Sequence, residues 1–147
     1  ARDELVEIRD ILPTFVHAAG APIPESVDGR SILTLLKDPK KAGWRTILDL
    51  EHAACYGPDN GWVALTDGRY KYVWYYSKGE EMLFDLQADP NELKDINRSE
   101  PERIARFRKQ MAAHLAERGE SWVKNGELQI IKNVPVLTPN YPRAARK

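Results

Sequence analysis

Glu51 and His52 stand side by side where a short strand-like run, Thr46-Ile47-Leu48-Asp49-Leu50, gives way to a loop rich in glycine and proline. Function concentrates in such loops. A histidine changes charge near neutral pH and can donate to a bound oxygen, and an adjacent carboxylate can orient it or accept from a hydroxyl. The competing reading is a structural histidine satisfied by backbone at a strand end. His17 falls in an apolar helical stretch and reads as structural; His114 falls on the polar side of a later helix and reads as solvated. Cys55 is the single cysteine, so no internal disulfide or multi-cysteine metal site exists, and it reads as a loop or packing residue. Asp59-Asn60 lacks the spacing of a calcium loop and reads as a turn. Asn97-Arg98-Ser99 is a formal glycosylation sequon whose meaning depends on a secretory eukaryotic source.

These residues need elements to hold them. From Leu5 to Ala19, apolar residues recur at three- and four-residue steps. Pro13 is tolerated in a first turn, so the helix is placed to start near Arg9 to Asp10 and to stop at Gly20, before Pro22 and Pro24. A short helical turn is expected around Ile32 to Leu36. The breaker-rich stretch from Asp38 to Gly43 reads as a subdomain boundary.

The middle reads as β. Trp62–Thr66 and Arg69–Tyr76 flank Asp67-Gly68, which predicts a hairpin closed by a type I′ turn over those two residues. Alternation puts Tyr70, Tyr72, Trp74 and Tyr76 on one face, and Arg69, Lys71, Val73 and Tyr75 on the other. The first set could offer a sugar-stacking platform, but alternating aromatics are more often the surface on which a helix packs. Trp62 and Tyr75 are the better candidates for touching a ligand. Met82–Leu86 supplies a further strand, which makes a meander of about four.

A helix then closes the sheet. Ser99 with Glu102 has capping-box spacing, and Ile104, Phe107, Met111 and Leu115 form one stripe that ends near Gly119. Leu128–Ile131 could add an edge strand, and the proline-interrupted remainder (Pro135, Pro139, Pro142) reads as an extended arm.

Composition bounds the function classes. The 147 residues carry 22 Lys plus Arg against 22 Asp plus Glu, so no basic excess argues for nucleic acid. Only Arg143, Arg146 and Lys147 lean basic at the end. No apolar run approaches the ~18 residues that span a bilayer. With 42% hydrophobic residues the chain can bury a core. It starts at Ala1 with no signal-like segment, which suggests a piece of a larger protein.

An ordered series of motifs gives that piece an address. Asp10-Ile11-Leu12-Pro13-Thr14, Ala19-Gly20-Ala21-Pro22-Ile23-Pro24, Asp28-Gly29-Arg30-Ser31-Ile32 and Leu35-Leu36 come first. Glu51-His52, Thr66-Asp67-Gly68-Arg69-Tyr70-Lys71-Tyr72, Leu83-Phe84-Asp85-Leu86 and Asp89-Pro90-Asn91-Glu92-Leu93 follow. Together they resemble the C-terminal third of a type I, formylglycine-dependent sulfatase, from about Val6 to the tail. The resemblance implies an α+β fold: a small antiparallel sheet of about four strands packed by one long C-terminal helix. It is preceded by the last helix and loop of an alkaline-phosphatase-like α/β domain. Residues 1–43 would be the trailing end of that catalytic domain, and 44–147 the C-terminal subdomain with its extended tail.

The resemblance also implies what the chain lacks. In the family, a Cys or Ser in Cys/Ser-x-Pro-x-Arg becomes formylglycine, whose hydrate attacks sulfur. Ca²⁺ is held by oxygen ligands, and Lys and His residues stabilise the sulfate and leaving group. All of these lie upstream of the matched motifs, so no catalytic residue, metal ligand or cofactor is assigned to this chain. Ser99-Glu100-Pro101-Glu102-Arg103 formally fits the nucleophile pattern. Its position late in the chain and its two glutamates, which would repel sulfate, leave it as a helix start.

Glu51 and His52 match a Glu-His that similar sulfatases carry on one rim of the cleft, where they would bind substrate. The implied partners are the rest of the catalytic domain and an aryl or sugar sulfate ester, with no nucleic acid and no membrane. The chain alone is expected to be inactive. A stand-alone carbohydrate-binding or interaction module, and a fragment of a related phosphate or phosphonate ester hydrolase, are the alternatives. The compartment stays open between periplasmic or secreted and cytoplasmic.

Overall fold

A computed structural model describes residues 3–37, 43–55 and 57–136. The basic C-terminal residues, Pro139, Pro142 and most of the stretch from Asp38 to Gly43 lie outside the described residues. The chain divides into two compact units, with the break between Leu48 and Asp49. Among the described residues no helix is long and apolar enough to cross a membrane.

The first unit holds α1 (Ile11–Ala18), entered through a 3₁₀ turn at Ile8–Asp10, and α2 (Leu33–Lys37). Pro13 sits in the first turn of α1, and Gly20 follows the helix at φ 72°, as the sequence predicts. Asp10 organises this unit and is fully buried. Its carboxylate accepts from the backbone N–H of Glu7 (2.9 Å) and Arg30 (2.8 Å), and from both terminal nitrogens of Arg45 (2.5 and 2.7 Å). The Asp10 carbonyl accepts from Thr14 Oγ1, which in turn accepts from the Ile32 N–H. Gly29 is required beside it, because a Cβ there would lie 1.8 Å from the Arg9 carbonyl oxygen. The spacing of Asp10…Thr14 and Gly29-Arg30-Ser31 is therefore the spacing of one polar knot. Burial would push the Asp10 carboxyl up, but the Arg45 guanidinium and the two backbone donors outweigh it and hold it below its ordinary value.

The second unit carries a four-stranded antiparallel sheet in the order β1-β2-β3-β4, formed by Leu48–His52, Trp62–Thr66, Tyr70–Tyr75 and Glu80–Asp85. The β2–β3 register pairs Thr66 with Lys71, so the turn centres on Gly68-Arg69 rather than on Asp67-Gly68. Gly68 has φ 90° and Arg69 is not left-handed, the pattern of a type II′ turn instead of the expected I′. The reason is Asp67, whose carboxylate accepts from the Arg69 and Tyr70 N–H groups and draws it into the closing pair.

The helix α3 (Pro101–Leu115) buries Ile104, Phe107, Met111 and Leu115 against one face of the sheet. Tyr72 stacks on Phe107 at 6.0 Å. The expected capping box does not form. Pro101 takes the first helical position, which moves the N-cap to Glu100, and the Ser99 hydroxyl donates to the Ile96 carbonyl (3.0 Å).

Leu128–Ile131 does not extend the sheet as a full edge strand. Leu128 belongs to a separate small hairpin, β5 (Val123–Lys124) with β6 (Glu127–Leu128), turned by Asn125 and Gly126, both at positive φ. The Ile131 N–H donates to the carbonyl of Tyr76 (2.8 Å), just beyond the end of β3.

Candidate functional site

Strand alternation separates the two residues singled out at the end of β1. His52 stacks its ring on Trp62, 5.8 Å between centroids and 25° between planes. Trp62 belongs to the face away from α3, beside Ala64, Val73, Phe84, Tyr75 and Met82. Lys71 is on that face too, with its ammonium 5.8 Å from the Trp62 ring and 2.7 Å from Glu92 Oε2. His52, Trp62 and Lys71 thus form one half-buried cluster of an imidazole, an indole and an ammonium. Such a set can present a donor, a cation and a flat apolar surface to an oxygen-rich ligand.

Glu51 is not part of it. Both of its carboxylate oxygens accept from Arg118, at 2.9 and 2.7 Å. That pair raises the Arg118 pKa, chiefly through the hydrogen bonds the guanidinium donates to the carboxylate. Arg118 lies over the Trp122 ring at 4.8 Å, and Trp122 contacts Tyr76 (5.2 Å) and Trp74 (6.4 Å).

The loop after His52 is tied down at both ends. The Tyr76 hydroxyl accepts from the Ala54 N–H at 3.1 Å, and Gly61 comes so near that a Cβ would lie 2.0 Å from it. Within the loop, Asn60 Nδ2 donates to the Cys55 carbonyl, and Pro58–Asn60 form a 3₁₀ turn, as the turn reading of Asp59-Asn60 expects.

The other candidates fall elsewhere. His17 Nδ1 lies 2.8 Å from Ser31 Oγ within the first unit. His114 is partly exposed, 3.9 Å from Asp49. Tyr70, Tyr72, Trp74 and Tyr76 are all buried, so this face is a packing surface and no platform. Tyr75 packs beside the Ala64, Val73 and Phe84 cluster. Among the described residues no group of three or more His, Cys, Asp or Glu converges to hold a metal ion.

Sequence reasoning placed Lys71 on the right face without giving it a role, and it missed Tyr76 as a loop anchor. Nothing in local spacing could have paired Arg118 with Glu51, because 67 residues separate them.

The family model described as N-sulphoglucosamine sulphohydrolase, C-terminal, matches residues 1–121. The chain belongs to the sulfatase C-terminal family. An arylsulfatase of Clostridium perfringens is 36% identical over 143 residues, 96% of this chain and 28% of that protein. This sulfatase C-terminal chain therefore spans under a third of the length of that relative. A solved protein bound to its substrate D-glucosamine-2-N,6-O-disulfate superposes with TM-score 0.62 at 20% identity, over 74% of this chain and 23% of that one. The phosphonate monoester hydrolase of Silicibacter pomeroyi does so with TM-score 0.61 at 25% identity, over 75% and 25%. About three quarters of the chain thus shares its fold with these proteins.

Proposed function

We propose that the intact protein hydrolyses sulfate esters of aryl alcohols or sugars, and that this chain completes its fold and one rim of its substrate cleft. Residues 1–43 are then the trailing end of the catalytic domain, and residues 44–147 the C-terminal subdomain. The formylglycine nucleophile, Ca²⁺ and the acid–base residues come from upstream. The observation that carries this reading is the His52–Trp62 stack at the end of β1, in a chain that belongs to the sulfatase C-terminal family. His52 donates to a sulfate or leaving-group oxygen, and Trp62 and Lys71 border the same ligand. Glu51 acts at the rim through its strand. The exposed apolar residues of the first unit, Ile8, Leu12 and Phe15 among them, pack on the rest of the catalytic domain.

The test uses the intact protein. Sulfate release from 4-nitrophenyl sulfate and from a sulfated glucosamine is followed, together with a Cys/Ser-x-Pro-x-Arg sequence upstream of Ala1. His52→Ala raises KM on at least one of these esters, and the 147-residue chain alone releases no sulfate. Sulfate release by the chain alone would overturn the division of labour. Sugar binding without any turnover by the intact protein would make this a binding module.

A second reading, a phosphonate monoester hydrolase, is favoured by the likeness to the Silicibacter pomeroyi enzyme. Turnover of a phenyl phosphonate monoester well above that of the sulfate would select it.

A further inference from the structure

The loop that follows His52 hangs on one hydroxyl. Residues 53–55 leave β1 and residues 57–61 lead into β2, and Ala54 and Gly61 both meet Tyr76, just beyond the end of β3. The Tyr76 side chain is buried (5% exposed), and its oxygen accepts from the Ala54 N–H at 3.1 Å. Gly61, on the returning side, leaves no room for a side chain there: a Cβ would meet the Tyr76 oxygen at 2.0 Å and the ring carbon bearing it at 2.3 Å. The ring is held in turn by Trp122, 5.2 Å away, and the Tyr76 carbonyl accepts from Ile131. Trp122 also carries Arg118, whose guanidinium grips both oxygens of Glu51. The chain is therefore fixed one residue before His52 and two residues after it, from the side of the sheet opposite the His52 ring. A buried hydroxyl that satisfies a buried N–H is a strong local constraint, because removing it leaves the donor unpaired. The Glu51–Arg118 pair is partly exposed and contributes less.

We infer that Tyr76 is a positioning residue for His52: its hydroxyl fixes the backbone at Ala54, beside Gly61, so that the imidazole keeps its place on Trp62, with Arg118 as a weaker second anchor through Glu51. The inference rests on the reading of His52 as a substrate contact. It makes no claim that Tyr76 touches substrate. The geometry separates this role from ordinary core packing. The Tyr76 ring packs among Trp74 and Trp122, whereas the single oxygen reaches the loop. Tyr76→Phe therefore keeps the packing and removes only the pin.

The test is a double-mutant cycle in the intact protein, with 4-nitrophenyl sulfate and a sulfated glucosamine as probes. Tyr76→Phe should raise KM about ten-fold, equivalent to ~1.4 kcal/mol, with kcat within about two-fold. In a His52→Ala background the same change should leave KM unaltered. Gly61→Ala, which displaces the same oxygen from the other side, should reproduce the effect. Ile104→Val, a mild core lesion under the sheet, should lower the unfolding midpoint without moving KM. Two results overturn the inference: KM unchanged in Tyr76→Phe while His52→Ala raises it, or an equal Tyr76→Phe effect with and without His52.

Failure of the underlying reading looks different, because His52→Ala itself then leaves KM unchanged. In that case the His52 ring resonances decide, in protein with ¹³C-labelled histidine. They lie in the ring current of Trp62, and Tyr76→Phe should shift them. Resonances that stay put sink the positioning role whatever the kinetics show.

Discussion

The two units of this chain are built on opposite plans. The unit after Leu48 buries its large apolar residues: Tyr72, Leu83, Phe107, Met111 and Leu115 are all inaccessible. The unit before it buries a carboxylate, Asp10, and leaves Ile8 85%, Phe15 68%, Leu36 63% and Leu12 57% exposed. One is held by dispersion and area, the other by a polar knot around one aspartate. A knot of this kind fixes the path of a backbone, but it removes little apolar surface from water. The second unit has the makings of a body with its own core. The first leaves an apolar side exposed, which, in the function proposed above, packs on the rest of a catalytic domain.

The largest expected effect follows from the packed unit. Phe107→Ala deletes a fully buried ring that stacks on Tyr72 and should cost about 3–5 kcal/mol. Chemical denaturation of the chain, followed by tryptophan fluorescence, reads it directly because Trp74 is buried in the same core and Trp122 packs against it. A loss below about 1 kcal/mol would mean that the sheet and helix are not the stable body described here.

The knot should break nearly as hard, but locally. Asp10→Ala leaves Arg45, whose side chain is 9% exposed, buried without its main partner, which costs roughly 3 kcal/mol. Hydrogen exchange at the Glu7 and Arg30 amides should accelerate, while amides of β3 stay protected. The pH dependence has a definite sign. A carboxyl held below its ordinary 3.8 contributes stability that is full above that pH and lost as pH falls through the lower folded value. Acid should therefore loosen the contacts of Asp10 with Glu7, Arg30 and Arg45 as pH falls below about 3.8, and Asp10→Asn should weaken this dependence.

A smaller pair of limbs belongs to the packed unit. The Tyr72 hydroxyl donates to Glu81 Oε1 at 2.5 Å, and Arg108 donates to both Glu81 oxygens. Burial, with Glu81 beside it, pushes the Tyr72 phenol well up. Burial opposes ionisation of Glu81 too, but Arg108 and Tyr72 hold its carboxyl below its ordinary value. Tyr72 then contributes stability that is full below pH 10 and lost as pH rises above it. Glu81 contributes stability that is full above pH 4.5 and lost as pH falls below it. Unfolding midpoints measured across pH should bend at both ends, and Tyr72→Phe should remove the alkaline bend and weaken the acid one, because Arg108 alone then holds the Glu81 carboxyl down.

Much of this was legible in the sequence. Period-two alternation assigned the aromatic face of β3, and the three- and four-residue stripe from Ile104 to Leu115 assigned the helix that covers it. Those signals are strong because one repeat decides many residues at once. What failed were choices settled by single atoms. The Asp67 carboxylate moved the hairpin turn by one residue, and Pro101 moved the helix cap from Ser99 to Glu100. The hairpin at Asn125-Gly126 carried a strong turn signal, yet its strands are two residues long and show no alternation to read. In the site, the strand end located Glu51 and His52 but not their partners. Arg118 and Tyr76 reach them from distant parts of the chain, and no local pattern encodes such a contact.

The smallest effect is the one that tests the contrast between the units most sharply. Phe15 is 68% exposed on α1, so Phe15→Ser in this chain should change its unfolding midpoint by no more than about 0.5 kcal/mol. It should also reduce self-association, because a large exposed ring is a liability in water. In the intact protein the same substitution should cost several times more, about 2 kcal/mol or above, if the ring is buried there against the rest of the catalytic domain. The comparison thus becomes a difference between two measurements on one residue. Equal small effects in both contexts would mean that the apolar side of α1 faces water in the intact protein as well. The view of the first unit as a connector made for another surface would then fall, while the packed unit would stand untouched.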